Sequence, residues 1–194
     1  MDVCAAAGIP NVRLFGDLIA SPEKTAEIVK AVGAAIAEVC AYAEGKGVGV
    51  LLEVHGDFNT IETVSGVMDA CKDYRCFGII WDIEHSDRAY GDNWRPFYQV
   101  VRPRLKHVHV KDYHRHDDGT FTLCLIGEGD VPIRDIVAAL QKDGYDGYYS
   151  LEWEKKWHPE LPEPEVAFPA YCGFMRGLHR LTRAHSPLSC AMDK

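Results

Sequence analysis

The stretch Val48–Val54 (VGVLLEV) decides the fold, because it is an almost continuous apolar run with the length of one strand. A strand that is covered on both faces is apolar throughout, whereas a half-exposed strand alternates apolar and polar residues. Working outward from this run, we predict further strands at Asn11–Phe15 (NVRLF), Phe77–Trp81 (FGIIW), Leu105–Val110 (LKHVHV) and Tyr148–Trp153 (YYSLEW). The sequence therefore predicts several buried strands.

Long amphipathic stretches lie between these runs and predict helices. Ser21 is a preferred N-cap residue type and Pro22 suits the first helical position, so the first long helix is expected to begin there. The predicted helices are Pro22–Gly45, Thr60–Tyr74, Trp94–Arg104, Val131–Lys142 and Glu165–Arg183. Alternation of buried strands with helices is typical of a parallel α/β protein with right-handed crossovers.

Two parallel α/β architectures fit this order of elements, an open doubly wound sheet and a (β/α)8 barrel of the TIM type. A dinucleotide-binding doubly wound fold would carry G-x-G-x-x-G after its first strand. The one similar spacing, Gly127-Glu128-Gly129, lacks the third glycine and follows no convincing buried strand. The dinucleotide-binding interpretation is therefore weakened, and both architectures stay open on the order of elements alone.

Composition excludes several classes of function. The 194 residues are 47% hydrophobic and 26% charged, with a net charge of −8 at pH 7 and no basic run longer than two residues, which disfavours nucleic acid and a membrane surface as partners. No apolar run approaches the roughly 20 residues that span a bilayer, and the N-terminus lacks the pattern of a signal peptide. The seven cysteines are scattered without a C-x-x-C pair, so most are expected to be buried thiols of a reduced, cytoplasmic protein.

Polar residues that can bind a metal follow the four clearest strands. Parallel strands of one barrel have their C-terminal ends on one face, so side chains far apart in sequence converge there. Alternation places the residues of one strand that are two positions apart on the same face, which leaves open which of them reaches a central ion. The candidates are Glu53 and His55, then Asp82, Glu84 and His85, then His107, His109, Lys111 and Asp112, and finally Glu152 and Glu154.

Three carboxylates and one imidazole from these strands would make an oxygen-rich site for one divalent ion. Such a set suits Mn²⁺ best in our prediction, with Mg²⁺, Co²⁺ or Zn²⁺ as alternatives. The ion could polarise a carbonyl beside a hydroxyl while two opposed glutamates move the neighbouring proton. A single acidic residue at a strand end more often caps a helix or pairs with a cation, but four buried carboxylates and histidines without an ion would be costly.

Other polar and aromatic residues have simpler interpretations. We expect His107 to be a satisfied core histidine, and Lys155 and Lys156 to form a solvated rim. The aromatic residues Trp81, Tyr148, Tyr149 and Trp153 are expected in the core or in a pocket wall. A phosphate site formed by the backbone amides near Gly127 and Gly129 is a weak further hypothesis.

Five motifs together resemble the sugar-phosphate isomerase/epimerase superfamily, also called xylose-isomerase-like barrels. The motifs are LLEVHGDF, WDIEHSDRAYG, LKHVHVKDYHR, LIGEGDVPI and GYDGYYSLEWE, in that order along nearly the whole chain. The resemblance implies one metal held by Glu53, Asp82, His109 and Glu152, with Glu53 and Glu152 as the acid/base pair and a cis-enediolate as the intermediate. The DNA-repair branch of the superfamily needs an additional set of histidines that we do not find here.

Two branches of the superfamily differ in the reaction that they imply. In the ketose 3-epimerase branch, an Asp-x-x-His pattern and an arginine six residues after the metal histidine bind substrate, which corresponds to His85 and Arg115. The HVHVKD string is similar to the inosose-dehydratase branch, where a lysine such as Lys111 would serve elimination of water. His55, which shares a face with Glu53, is expected beside the substrate.

The chain is short for this fold, since a TIM barrel usually has about 250 residues and eight strands. Counting back from the last strand, the first two βα units are missing, which leaves a partial barrel of about six strands in a domain 1–184, followed by a C-terminal tail, 185–194. Open sheet edges are then expected to be covered by a second copy or by another chain. We predict a metal-dependent sugar isomerase or epimerase, with a keto-sugar or keto-inositol dehydratase and a truncated, non-catalytic metal-binding module as alternatives.

Overall fold

The computed structural model describes residues 1–184, so the predicted tail 185–194 lies outside the described residues. The chain divides into two compact units, Met1–His109 and a second unit that begins at Val110. The boundary falls inside one strand, just after the predicted metal ligand His109.

The first unit alternates strands and helices. Its strands are β1 (Asn11–Phe15), β2 (Gly49–Glu53), β3 (Phe77–Asp82) and β4 (Leu105–Val110), the last of which ends on the first residue of the second unit. Its helices are α1 (Asp2–Ala7), α2 (Thr25–Ala43), α3 (Ile61–Ala70), α4 (Ile83–Tyr90) and α5 (Arg95–Val101), with short 3₁₀ turns at Pro22–Lys24, Gly91–Asn93 and Arg102–Arg104. Every strand and helix predicted for this part of the sequence is present, with α1 and α4 in addition.

The second unit contains a hairpin, a βα pair and a long helix. Its elements are β5 (Asp112–Arg115), β6 (Phe121–Cys124), α6 (Ile133–Lys142), β7 (Tyr148–Leu151) and α7 (Pro164–Ala184). β5 and β6 pair antiparallel as a separate two-stranded sheet. The strand at Phe121 is therefore a hairpin arm and does not belong to the main sheet.

The main sheet is parallel, as the apolar runs predict. Its five strands follow the order β1-β2-β3-β4-β7, and the described strands do not close into a barrel. Within the second unit, the Glu152 N–H donates to the Val110 carbonyl at 3.1 Å, which is where β7 joins the end of β4. The fold is α/β and of the TIM-barrel type, with an open rather than a closed sheet.

The core of the first unit lies around the central strand β3, whose six residues are all buried. Trp81 stacks on Tyr98 with ring centroids 5.3 Å apart and an angle of 14° between the rings, and Trp94 packs beside both. The Trp81 indole N–H donates to the Ser86 hydroxyl at 2.7 Å, so the buried ring also satisfies its polar atom. The prediction that Trp81 belongs to the core is confirmed.

Two burial predictions are wrong. Tyr148 is 78% exposed, because it is the first residue of β7 and its side chain points away from the packed face. Among the six cysteines of the described residues, only Cys40 and Cys71 are buried, whereas Cys172 on α7 is exposed. The residue type alone is therefore a weak guide to the burial of these cysteines.

No helix within residues 1–184 is both long and apolar enough to cross a membrane.

Gly16, directly after β1, lies where the sheet accepts no side chain. A Cβ added there would overlap the ring of Phe58, which is fully buried in the first unit. We expect Gly16→Ala to lower the free energy of unfolding by about 1–3 kcal/mol, because the buried ring or the strand must move. Urea denaturation measures this change. Gly173→Ala is the matched control, since nothing lies within 4 Å of the added Cβ on α7 and alanine favours helix. Equal stability of the Gly16→Ala variant and the parent would contradict the assigned contact.

Candidate metal centre

Glu53 is the last residue of β2, and its carboxylate is fully buried. One oxygen, Oε1, lies 2.6 Å from His109 Nδ1, and the other, Oε2, lies 3.0 Å from Nη1 of Arg13 on β1. A buried carboxylate is strongly destabilising unless a cation or hydrogen-bond donors compensate it. Arg13 and His109 supply that compensation in this structure. Sequence analysis gave Arg13 no role.

Asp82 ends β3 and begins α4. Its Oδ1 accepts hydrogen bonds from the backbone N–H groups of Glu84 at 3.0 Å and His85 at 3.4 Å, which is the geometry of a helix N-cap. Asp82 is therefore a helix cap, the simpler interpretation of an acidic residue at a strand end. Because Oδ1 alone makes both cap bonds, the cap also fixes the direction of Oδ2, which lies 3.9 Å from His85 Nε2.

A register shift between β3 and β4 decides which residue faces Asp82. Ile79 lies opposite Leu105, but Ile80 lies opposite His107, so β4 contributes one extra residue at this point. As a result Asp82 lies opposite His109, whereas an unshifted register would have placed Val108 there. A one-residue shift exchanges the two faces of a strand, so the irregularity brings an imidazole rather than an isopropyl group beside the aspartate.

Glu53, Asp82 and His109 lie close together near the C-terminal ends of their strands. One ligand atom from each lies within 4.8 Å of the others. Two fully buried carboxylates and one imidazole form a donor set that suits a hard or borderline divalent cation. The residues of the first unit therefore fit a metal ion on the chemistry of their donor atoms.

Two further histidines border this group of three residues. The rings of His55 and His85 are 4.2 Å apart at their centroids, and His55 also contacts Phe15 edge-on at 5.0 Å. His85 lies in the first turn of α4, with Nε2 3.9 Å from an oxygen of Asp82 and 3.9 Å from an oxygen of Glu84. The structure therefore places both predicted substrate-binding histidines beside the predicted metal-binding group.

His107 is only partly buried and does not match the expectation of a satisfied core histidine. Its ring meets that of His109 edge to face at 5.3 Å, as expected for two residues on one face of β4. Burial lowers the pKa of His107 below its ordinary value, and repulsion from His109 lowers it further. The neutral form of His107 is therefore favoured.

The second unit places Glu152 directly after β7, beside the amine of Lys111. Lys111 Nζ lies 3.1 Å from Glu152 Oε2 and 2.9 Å from Glu154 Oε1. Glu152 and Glu154 therefore share a face, as alternation predicts, and both contact the same buried lysine. The contact of Glu154 with Lys111 could not be predicted, because nothing in the local pattern reveals a lysine that lies 43 residues away.

Arg115 lies at the end of β5 and is exposed. Its backbone N–H donates to Asp130 Oδ2 at 2.7 Å, and its guanidinium Nε lies 3.4 Å from the Tyr113 hydroxyl. The Asp130 N–H in turn donates to the Tyr113 carbonyl at 2.8 Å. The loop that contains Asp130 therefore fixes the backbone of the predicted substrate-binding arginine.

Asp112 occupies the backbone amides that a phosphate site near Gly127 and Gly129 would need. Its two oxygens accept from the N–H groups of Gly127 at 2.9 Å, Gly129 at 3.1 Å, Val131 at 3.2 Å and Tyr113 at 3.0 Å. A side-chain carboxylate of the chain itself thus takes the place of an anionic ligand, and the phosphate hypothesis is wrong for these amides. Burial raises the pKa of Asp112, although the four N–H groups act in the opposite direction.

We expect Asp112→Ala to lower the free energy of unfolding by about 3 kcal/mol, because it removes the acceptor of four N–H groups, two of them on the buried residues Tyr113 and Val131. Urea denaturation measures the change. Asp118→Ala is the matched control, since the Asp118 carboxylate also accepts from a loop N–H, that of Thr120, but on an exposed turn. If both variants lost the same small amount of stability, Asp112 would not hold the loop as described.

Sequence analysis missed the helix α4 and the ion pair inside it. Glu84 is fully buried and pairs with Arg88, one turn later on the same helix. The signal was present, because an N-cap aspartate followed by a glutamate in the first turn is typical of a helix start. Asp82 therefore has a capping role in addition to its predicted metal role.

The chain is similar to several known proteins. The fructoselysine 3-epimerase of Escherichia coli O157:H7 is 25% identical over 122 residues, which are 60% of this chain and 42% of that protein. A solved D-tagatose 3-epimerase-like protein has a TM-score of 0.73 and 21% identity, covering 95% of this chain and 68% of its own. The IOLI protein, solved with a bound zinc atom, has a TM-score of 0.66 and 21% identity over 78% of this chain and 56% of its own.

The chain spans less than half the length of the curated relatives that it matches. The solved structures share too little sequence to indicate more than the fold. The family comparison covers most of the chain, because the family described as "Xylose isomerase-like TIM barrel" matches residues 1–176. On this match, the chain belongs to the xylose isomerase-like TIM barrel family.

Proposed function

We propose that this protein is a divalent-metal-dependent isomerase or epimerase that acts on a sugar or sugar derivative by proton transfer next to a carbonyl. The observation that carries the proposal is the buried group Glu53, Asp82 and His109, whose ligand atoms lie within 4.8 Å of one another. Burying two carboxylates at strand ends costs free energy, and a bound metal ion would offset that cost. The family membership supports the same site.

Glu152 is the proposed fourth ligand. It follows β7 as Glu53 and Asp82 end their own strands, and its N–H bonds to Val110, the residue after His109. The set would then contain three carboxylates and one imidazole, which suits Mn²⁺ first and Mg²⁺, Co²⁺ or Zn²⁺ as alternatives. The zinc in the solved IOLI protein supports a divalent metal but does not identify the one used here.

In this mechanism, Glu53 and Glu152 remove and return the proton on the carbon beside the carbonyl, through a cis-enediolate. A divalent ion would polarise the carbonyl and its neighbouring hydroxyl, so that the proton is acidic enough to be removed. Arg13 and His109 hold the two oxygens of Glu53 in place, which keeps one proton-transfer group in a fixed orientation. In the second unit, Lys111 Nζ lies 3.1 Å from Glu152 Oε2 and orients the other proton-transfer group.

The proposed substrate-binding residues are His85, His55, Arg115 and Lys111. His85 and His55 present neighbouring imidazoles beside the metal ligands, and imidazoles can donate to or accept from sugar hydroxyls. The names of the fructoselysine 3-epimerase and the D-tagatose 3-epimerase-like protein support epimerisation at a carbon beside a ketone.

A second candidate function is elimination of water from a keto-sugar or keto-inositol. The position of Lys111 favours it, since a buried ammonium beside Glu152 could donate a proton to a departing hydroxyl. Both candidates begin with removal of the same proton. They differ in whether water is lost.

Hydrogen exchange in D₂O separates these reactions. We expect the Mn²⁺-loaded protein to incorporate deuterium beside the carbonyl of a ketose from a panel of ketoses and keto-inositols, with conversion to an epimer or aldose and no loss of water, measured by NMR and mass spectrometry. Glu152→Gln should lower the exchange rate by at least about 100-fold, because the proton acceptor is removed.

Glu23→Gln, a change of an exposed glutamate, is the control and should leave the exchange rate unchanged. Loss of water from the recovered product would favour the dehydratase. Metal binding without exchange on any member of the panel would contradict the catalytic proposal and favour a non-catalytic module.

We also propose that a second copy or another chain covers the exposed edge of the sheet. β1 is the first strand in the sheet order, and residues at alternate positions along it are exposed, including Phe15. An uncovered edge strand is a ready site for strand pairing, which supports an assembled state.

A further inference from the structure

Lys111 is a buried cation with two carboxylate partners in the second unit. Only 4% of its side chain is exposed, whereas Glu152 and Glu154 are 25% and 28% exposed. Its Nζ is slightly closer to Glu154 Oε1, at 2.9 Å, than to Glu152 Oε2, at 3.1 Å. Glu154 is therefore at least an equal partner of the ammonium group.

Glu154 is itself held by the turn that follows β7. Its backbone carbonyl accepts from the N–H groups of Trp157 at 2.8 Å and His158 at 3.0 Å. Its second oxygen, Oε2, lies 3.7 Å from His158 Nε2. The turn thus fixes the backbone of Glu154, from which its carboxylate reaches the lysine.

The chemistry of a buried ammonium explains why the second carboxylate matters. An ammonium group has three donors and needs a counter-charge when it leaves water. If Glu152 were its sole carboxylate partner, the lysine would compete with a metal ion for that carboxylate. With Glu154 present, the ammonium donates a hydrogen bond to Glu154 and shares its charge between the two carboxylates.

We propose that Glu154 is a positioning residue of the metal centre, which acts through Lys111 to leave Glu152 able to bind the ion. The inference rests on the proposed function, because it assumes that Glu152 is a metal ligand. Glu154 itself binds no metal in this account. Its contribution is to the affinity of the ion, and hydrogen-bonded partners of metal ligands typically change affinity by 10–100-fold.

The first test is calorimetric titration of Mn²⁺ into the 194-residue protein and its variants. Glu154→Gln should weaken Mn²⁺ binding by about tenfold, because the Lys111 ammonium loses the charge of Glu154 and pairs more strongly with Glu152. Glu154→Asp keeps the charge and should recover part of that loss, and it serves as the test if Glu154→Gln does not fold. Glu163→Gln is the matched control, since Glu163 forms an exposed pair with Lys155 and should leave Mn²⁺ affinity unchanged.

A double-mutant cycle distinguishes this role from a merely structural one. If Glu154 acts through the lysine, adding Glu154→Gln to a Lys111→Met protein should cause no further change in Mn²⁺ affinity. The same tenfold loss in both backgrounds would overturn the proposal, as would parental affinity in Glu154→Gln. Failure of the parent protein to bind Mn²⁺ would instead defeat the proposed function, and this inference with it.

Discussion

The burial of two carboxylates at neighbouring strand ends is the constraint on which the rest of this structure depends. Glu53 and Asp82 are both fully buried, and such groups are tolerated only when cations, donors or a metal surround them. In the first unit, Arg13 and His109 contact Glu53, and the first turn of α4 contacts Asp82. The positions of β1, β4 and α4 around these two residues are therefore parts of one electrostatic arrangement.

The second unit also contains buried charged side chains, which other residues compensate. Lys111 is a buried cation between two glutamates, and Asp112, the next residue, is a buried anion held by four backbone N–H groups. Adjacent residues at the end of β4 thus point to opposite sides, one toward the predicted site residue Glu152 and one toward the glycine-containing loop. The loop is ordered by the chain's own carboxylate, so it is a support for the site rather than an anion-binding site.

The strands, their parallel order and the strand-end residues could be predicted because each depends on a local apolar run. The pairing of Asp82 with His109 could not, since it depends on a one-residue shift between β3 and β4 that no pattern within LKHVHV reveals. The contacts of Arg13 with Glu53 and of Glu154 with Lys111 could not be predicted either, because they join residues far apart in the sequence. Helix α4 is different, because its capping signal was present in the sequence but was assigned to metal binding alone.

Metal content tests the central claim most directly. We expect protein purified without chelator, or soaked in Mn²⁺ and desalted, to contain about one equivalent of a divalent metal by elemental analysis, as one set of ligands requires. His109→Ala should lose this metal while it remains folded, because the imidazole that faces Asp82 is gone. About one equivalent in the parent and none in the variant is the result that the account predicts. Absence of metal from the parent protein even after soaking, or full retention in His109→Ala, would contradict it.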